Sequence, residues 1–124
     1  AIGFKKSYYD SIKAAFDSEN NRKSNEKYFL ELKQLAQEND AKLVVVVFPF
    51  FYQLNEYPFQ NAHDYLNDIG KKDGIIVLDL LSYYKKYDEK SLVVSKYDLH
   101  PNELGHQVAA DALYETLINR KIVS

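Results

Sequence analysis

The chain has 124 residues, 46% hydrophobic and 27% charged, with no Cys, Met or Trp and a formal net charge of −2. That length and apolar fraction fit one globular domain spanning residues 1–124, with enough core-forming side chains to fold. No run of about eighteen apolar residues offers a membrane span, no basic-then-apolar leader is visible, zero Cys excludes a disulfide scaffold or thiolate zinc site, and a pI near 5.9 leaves no basic footprint for nucleic acid.

Taken in chain order, Ser7 to Phe16 reads as a helix with Tyr8, Ile12, Ala15 and Phe16 on its buried side. Ser18 to Ser24, polar and Asn-rich, reads as a hinge. Asn25 to Asn39 is the second helix, carrying Tyr28, Phe29, Leu32, Leu35 and Ala36 at helical spacing. Leu43 to Phe48 is continuously apolar, the pattern of a strand buried on both faces of a parallel sheet. Phe50 to Gln60, which contains Pro58, is a second candidate hinge.

Asn61 to Ile69 follows as a helix with Ala62, Tyr65, Leu66 and Ile69 on one face and Gly70 as its stop. The turn Lys72-Asp73-Gly74 introduces a second apolar strand, Ile75 to Leu78, ending at Asp79. A further helix and a weak extended segment at Leu92-Val93-Val94 precede the last helix. That helix is capped by Asn102 after Pro101, and Leu104, Val108, Ala109, Ala112, Leu113 and Leu117 form its apolar stripe.

The resulting order, α-α-β-α-β-α-(β)-α, implies an α/β fold with a parallel sheet. Two strong strands and one weak one fall below the four to six that sheets usually contain. All-apolar strands need neighbours on both sides, so the expectation is that N-terminal strands are missing or come from another chain. A chain without Met that opens Ala1-Ile2-Gly3 is likewise expected to be processed or to be a piece of a longer protein. Localisation stays open; the absence of Cys fits a secreted bacterial protein.

Ligands of open α/β sheets bind beyond the carboxyl ends of the strands. Three segments answer that description, Pro49 to Phe59, Asp79 to Tyr84 and the loop Ser95 to Asn102, and the last carries Asp98-Leu99-His100-Pro101-Asn102-Glu103-Leu104-Gly105-His106. An Asp two positions before a His suits a base and its orienting carboxylate. Pro101 restricts His100 to extended backbone, which stiffens the loop where aim matters.

The Asp98-x-His100-Pro101-Asn102 block, followed by Gly105-His106 and the small pair Ala109-Ala110, resembles the last block of the SGNH (GDSL-type) hydrolases. Leu43 to Pro49 is similar to that family's strand ending in proline, and Gly74 to Asp79 to its strand ending in Asp, so the likeness runs over roughly residues 25–117. The resemblance implies a flavodoxin-like three-layer α/β/α fold and a Ser-His-Asp ester hydrolase, with His100 as base, Asp98 as its partner, and no metal or organic cofactor. Its substrates would be acyl esters or acetylated carbohydrates.

The chain departs from the family in two ways: only Leu99 separates Asp98 from His100 where many members have two residues, and no Gly-Asp-Ser nucleophile block or Gly-x-Asn-Asp oxyanion block occurs. None of Ser7, Ser11, Ser18, Ser24, Ser82, Ser91, Ser95 or Ser124 sits in a strand-to-helix turn after an early apolar strand. The chain is therefore expected to be the C-terminal part of such an enzyme, inactive alone and prone to self-associate through an exposed sheet edge.

Plainer readings stand beside this one. Asp98 and His100 also suit a solvated loop with a turn-forming Asp. His106 suits packing or capping, His63 beside Asp64 suits a surface position, Asn102 a helix cap, and Asp79 either a site rim or the cap of the next helix. Eleven Tyr and seven Phe are the strongest compositional bias. Phe48, Phe50, Phe51, Tyr52, Tyr57 and Phe59 suit an aromatic wall for an acyl chain or sugar, or else a core plug or a surface covered by the missing half of the fold, the latter two slightly favoured together. Tyr83-Tyr84-Lys85-Lys86-Tyr87 suits base stacking only weakly in an acidic chain. From another functional class, the alternative is a non-catalytic α/β module binding a protein or carbohydrate through its aromatic segment and open sheet edge.

Overall fold

A computed structural model describes residues 2–123. It is a mixed α/β structure: α1 (Ile2–Asp17), α2 (Glu19–Glu38), β1 (Val44–Val47), α3 (Gln60–Asp73), β2 (Ile76–Asp79), α4 (Leu81–Tyr84), β3 (Val93–Ser95), β4 (Asp98–Pro101) and α5 (Glu103–Asn119). The chain divides into two compact units, one holding residues up to Leu43 with Pro58–Ile75, the other Val44–Tyr57 with Ile76 onward. No helix among the described residues is long and apolar enough to cross a membrane.

The first unit is helical. The expected hinge at 18–24 is a single break: only Ser18 leaves the helix, in an extended conformation with its hydroxyl accepting the Asn21 N–H. The Asn-rich stretch is helical because its polar side chains cap the helix before it. Asn21 Nδ2 donates to Ala15 O at 2.9 Å and Arg22 Nε to Phe16 O at 2.8 Å, satisfying carbonyls at the α1 terminus.

The face that α2 buries also differs from expectation. Arg22, Glu26, Phe29, Lys33 and Ala36 are half-buried, while Tyr28, Leu32 and Leu35 stay exposed. Polar anchoring chose this face. Lys33 Nζ donates to Asp73 O at 2.6 Å, Glu26 pairs with Lys72, and the Tyr65 hydroxyl donates to Arg22 O beneath the guanidinium. In α3 the stop is Gly74, not Gly70: Gly74 takes φ 64°, a left-handed cap that only glycine adopts without strain, while Gly70 is buried mid-helix. His63, expected on the surface, is 4% exposed on the inner face of α3 with Ala62 and Ile69.

In the second unit β1 and β2 pair in parallel, Val44 opposite Ile76 through Val47 opposite Asp79. Leu80 N–H continues the ladder to Val47 O at 3.0 Å. Among the described residues each of these strands has one partner, and all four valines of β1 are half-buried. The weak third strand does not extend this sheet. Val93–Ser95 instead folds back antiparallel on Asp98–Pro101, so the segment expected as a loop is a hairpin.

Tyr84 anchors the unit. Its ring is fully buried, edge-on to Phe51 at 4.9 Å, and its hydroxyl donates to Gly105 O at 2.7 Å. Base stacking by Tyr84 is thereby ruled out. Of the aromatic segment, Phe51 and Tyr57 are buried in this unit and Phe59 is buried in the first, while Phe48 and Phe50 stay exposed.

Candidate active site

The β3–β4 hairpin carries the candidate pair Asp98 and His100, and Asn102 fastens it to α5. Its backbone N–H donates to Leu92 O at 2.9 Å, and its carboxamide Nδ2 donates to Ser91 O and Val93 O at 2.9 and 3.0 Å. The same side chain's Oδ1 accepts the Gly105 N–H at 3.0 Å, capping α5. The expected cap is therefore also a clasp holding strand and helix together. Packing is tightest at Gly105: a Cβ there would lie 2.7 Å from Leu92 O and 2.8 Å from Pro101 Cβ.

On this support Asp98 and His100 meet. One carboxylate oxygen, Oδ1, accepts the His100 backbone N–H at 3.1 Å and lies 2.6 Å from His100 Nδ1. A carboxylate only accepts, so the shared proton belongs to Nδ1 and the lone pair of the neutral ring sits on Nε2. The His100 side chain is 88% exposed, so Nε2 is open to an incoming group. Two residues apart on one strand, Asp98 and His100 point to the same face of the hairpin.

The hydrogen bond from the His100 ring, then that from its backbone N–H, holds the Asp98 carboxyl below the usual carboxylate range. The contact therefore favours the native state above the ordinary Asp pKa of about 3.9 and is lost only as pH falls through the depressed value. The main titration of the Asp98 side-chain carboxyl carbon signal should accordingly have its midpoint below about 3.9. A midpoint at or above that value contradicts the contact.

The other candidate residues go elsewhere. His106 is exposed, its N–H donating to Asn102 O at 2.9 Å in the first turn of α5. Asp79 Oδ1 accepts the Leu81 N–H at 3.0 Å, the capping alternative for that residue. Hydroxyls of Ser11 and Ser91 donate to Ser7 O and Asp88 O, and those of Ser18 and Ser95 accept local backbone N–H groups. Ser124 lies outside the described residues. A cavity of about 520 Å³ between Gln53–Glu56 and Tyr87–Lys90 does not include the Asp98–His100 pair. Among the described residues no group of three or more His, Asp or Glu is placed to hold a metal ion.

No family model, curated protein or solved structure matches this chain. The chemical reading therefore rests on the hairpin's own geometry and on the Asp-x-His-Pro-Asn block.

Proposed function

We propose that the chain is the C-terminal part of a serine ester hydrolase of the SGNH type, supplying the base His100 and its partner Asp98 to a serine on another segment. The observation that carries this reading is the 2.6 Å contact between Asp98 Oδ1 and His100 Nδ1 on a ring whose Nε2 stays open. Holding the proton of one ring nitrogen against a carboxylate puts the lone pair of the neutral ring on the other, the tautomer a general base uses. The flavodoxin-like three-layer arrangement belongs to the same proposal. It is supported by the parallel β1–β2 pair, each strand with one partner among the described residues, and by the half-buried valines of β1.

In this reading His100 Nε2 takes the serine proton as the hydroxyl oxygen attacks the ester carbonyl. The imidazolium, held by Asp98, then protonates the leaving alcohol. Water repeats the cycle to release the acid and regenerate the serine. Burial of Phe51, Tyr57 and Phe59 weakens the alternative of an aromatic binding module, because those rings have no face left for a partner.

The test is turnover of p-nitrophenyl acetate. The full-length native polypeptide should hydrolyse it, His100→Ala should lose most of that rate, and the 124-residue chain alone should stay at background. Unchanged turnover in His100→Ala overturns the assignment.

A further inference from the structure

The turn between β3 and β4 has an unusual construction. Ser95 pairs with Asp98, leaving the two-residue loop Lys96-Tyr97. Two-residue hairpin loops normally use positive φ, because only those turns match the twist of the flanking strands. Neither Lys96 nor Tyr97 has a positive φ. The ladder is also irregular between Val93 and Ser95. Beyond the Ser95–Asp98 pairing itself, neither a preferred turn type nor a regular ladder fixes the Asp98 end of the hairpin.

A side chain does so instead. Ser95 Oγ accepts the Tyr97 N–H at 3.2 Å and the Asp98 N–H at 3.1 Å. These local hydroxyl–backbone bonds brace the turn beside the strand pairing. A continuous chain results: Ser95 Oγ holds the Asp98 backbone, and Asp98 Oδ1 holds both the His100 backbone and its Nδ1.

We propose that Ser95 is a positioning residue for the Asp98–His100 pair, its hydroxyl setting the direction in which the Asp98 carboxylate meets the His100 ring. The consequence for catalysis rests on the ester-hydrolase reading. In that setting Ser95 is a member of the turn that aims the base rather than the nucleophile.

The experiment reads the ring itself. With the protein labelled with 15N, long-range proton–nitrogen correlation at pH 8 gives the ratio of the Nδ1–H to the Nε2–H form of His100. The His100 signals are identified by their loss in His100→Gln. Ser95→Ala should lower that ratio by about 3- to 10-fold, the worth of one hydrogen bond, while Ser95→Thr, which keeps the hydroxyl, should retain the wild-type ratio. Asp98→Asn, which removes the carboxylate, should abolish the preference.

A wild-type ratio in Ser95→Ala alongside a collapsed one in Asp98→Asn overturns the proposal. So does an equal loss in the Ala and Thr variants with far-UV dichroism unchanged. The ratio is measured without substrate, so a failure of the positioning claim and a failure of the hydrolase reading are seen separately.

Discussion

Gly105→Ala is expected to destabilise the protein by about 2–3 kcal/mol in denaturant unfolding, with a fall in Tm of roughly 8–12 °C. Two effects oppose each other. Alanine is the better helix former by about 1 kcal/mol, and Gly105 lies in the first turn of α5. Against this, the new methyl would sit 2.7 Å from Leu92 O and 2.8 Å from Pro101 Cβ.

Neither neighbour yields cheaply. Leu92 O already accepts the Asn102 N–H, Pro101 is a ring in β4, and Tyr84 holds the Gly105 carbonyl from the other side. Relieving the clash means parting α5 from the hairpin, which breaks the Asn102 clasp and disturbs a fully buried tyrosine. Steric exclusion therefore outweighs propensity. Wild-type stability in Gly105→Ala would mean that α5 and the hairpin are not packed as described.

The second large effect is on the proposed ester hydrolysis. In the full-length native polypeptide, His100→Ala should lower kcat for p-nitrophenyl acetate by about 10³-fold or more, and Asp98→Asn by about 10²- to 10⁴-fold. Removing the imidazole removes the proton acceptor, so the serine would have to attack as a neutral hydroxyl. Converting Asp98 to Asn keeps the shape but places an amide where a carboxylate accepts from Nδ1, which favours the wrong tautomer. Both residues lie exposed on the hairpin, so these losses should come with no more than a small fall in the unfolding midpoint. A drop in stability equal to the drop in rate would assign them a structural role instead.

Much of this architecture was legible in the residues. Four consecutive valines and the run Ile75 to Leu78 mark the parallel pair because continuous apolar runs have few other uses in so short a segment. Asn102 marks the start of α5 because Pro101 precedes it and an apolar helical stripe follows. The dyad was legible because Asp and His two apart on extended backbone must share a face.

What escaped the sequence was decided by tertiary competition. The α2 face chosen by Lys33, Glu26 and Arg22 looked like the solvent side, since pattern reading ranks apolar residues above charged ones. Long charged side chains reaching the Asp73 carbonyl and the Lys72 ammonium on α3 reversed that order. His63 looked like a surface residue beside Asp64, but Asp64 bonds Gln60 while His63 turns inward. At 70–74 two glycines competed for the helix stop, and Gly74 is the one that takes positive φ, while Gly70 continues the helix. Ser95 was weighed only as a nucleophile. Its position three residues before Asp98 is a turn signature, readable once the segment is known to be a hairpin rather than a loop.

The central claim is that His100 serves a serine contributed by another segment. Treating the full-length native polypeptide with a fluorophosphonate and locating the adduct by mass spectrometry tests it most directly, because only an activated serine reacts quickly. One adduct is expected, on a serine outside residues 1–124, and it should vanish in His100→Ala. An adduct on a serine within these residues, one that forms equally in His100→Ala, or none at all would contradict the claim.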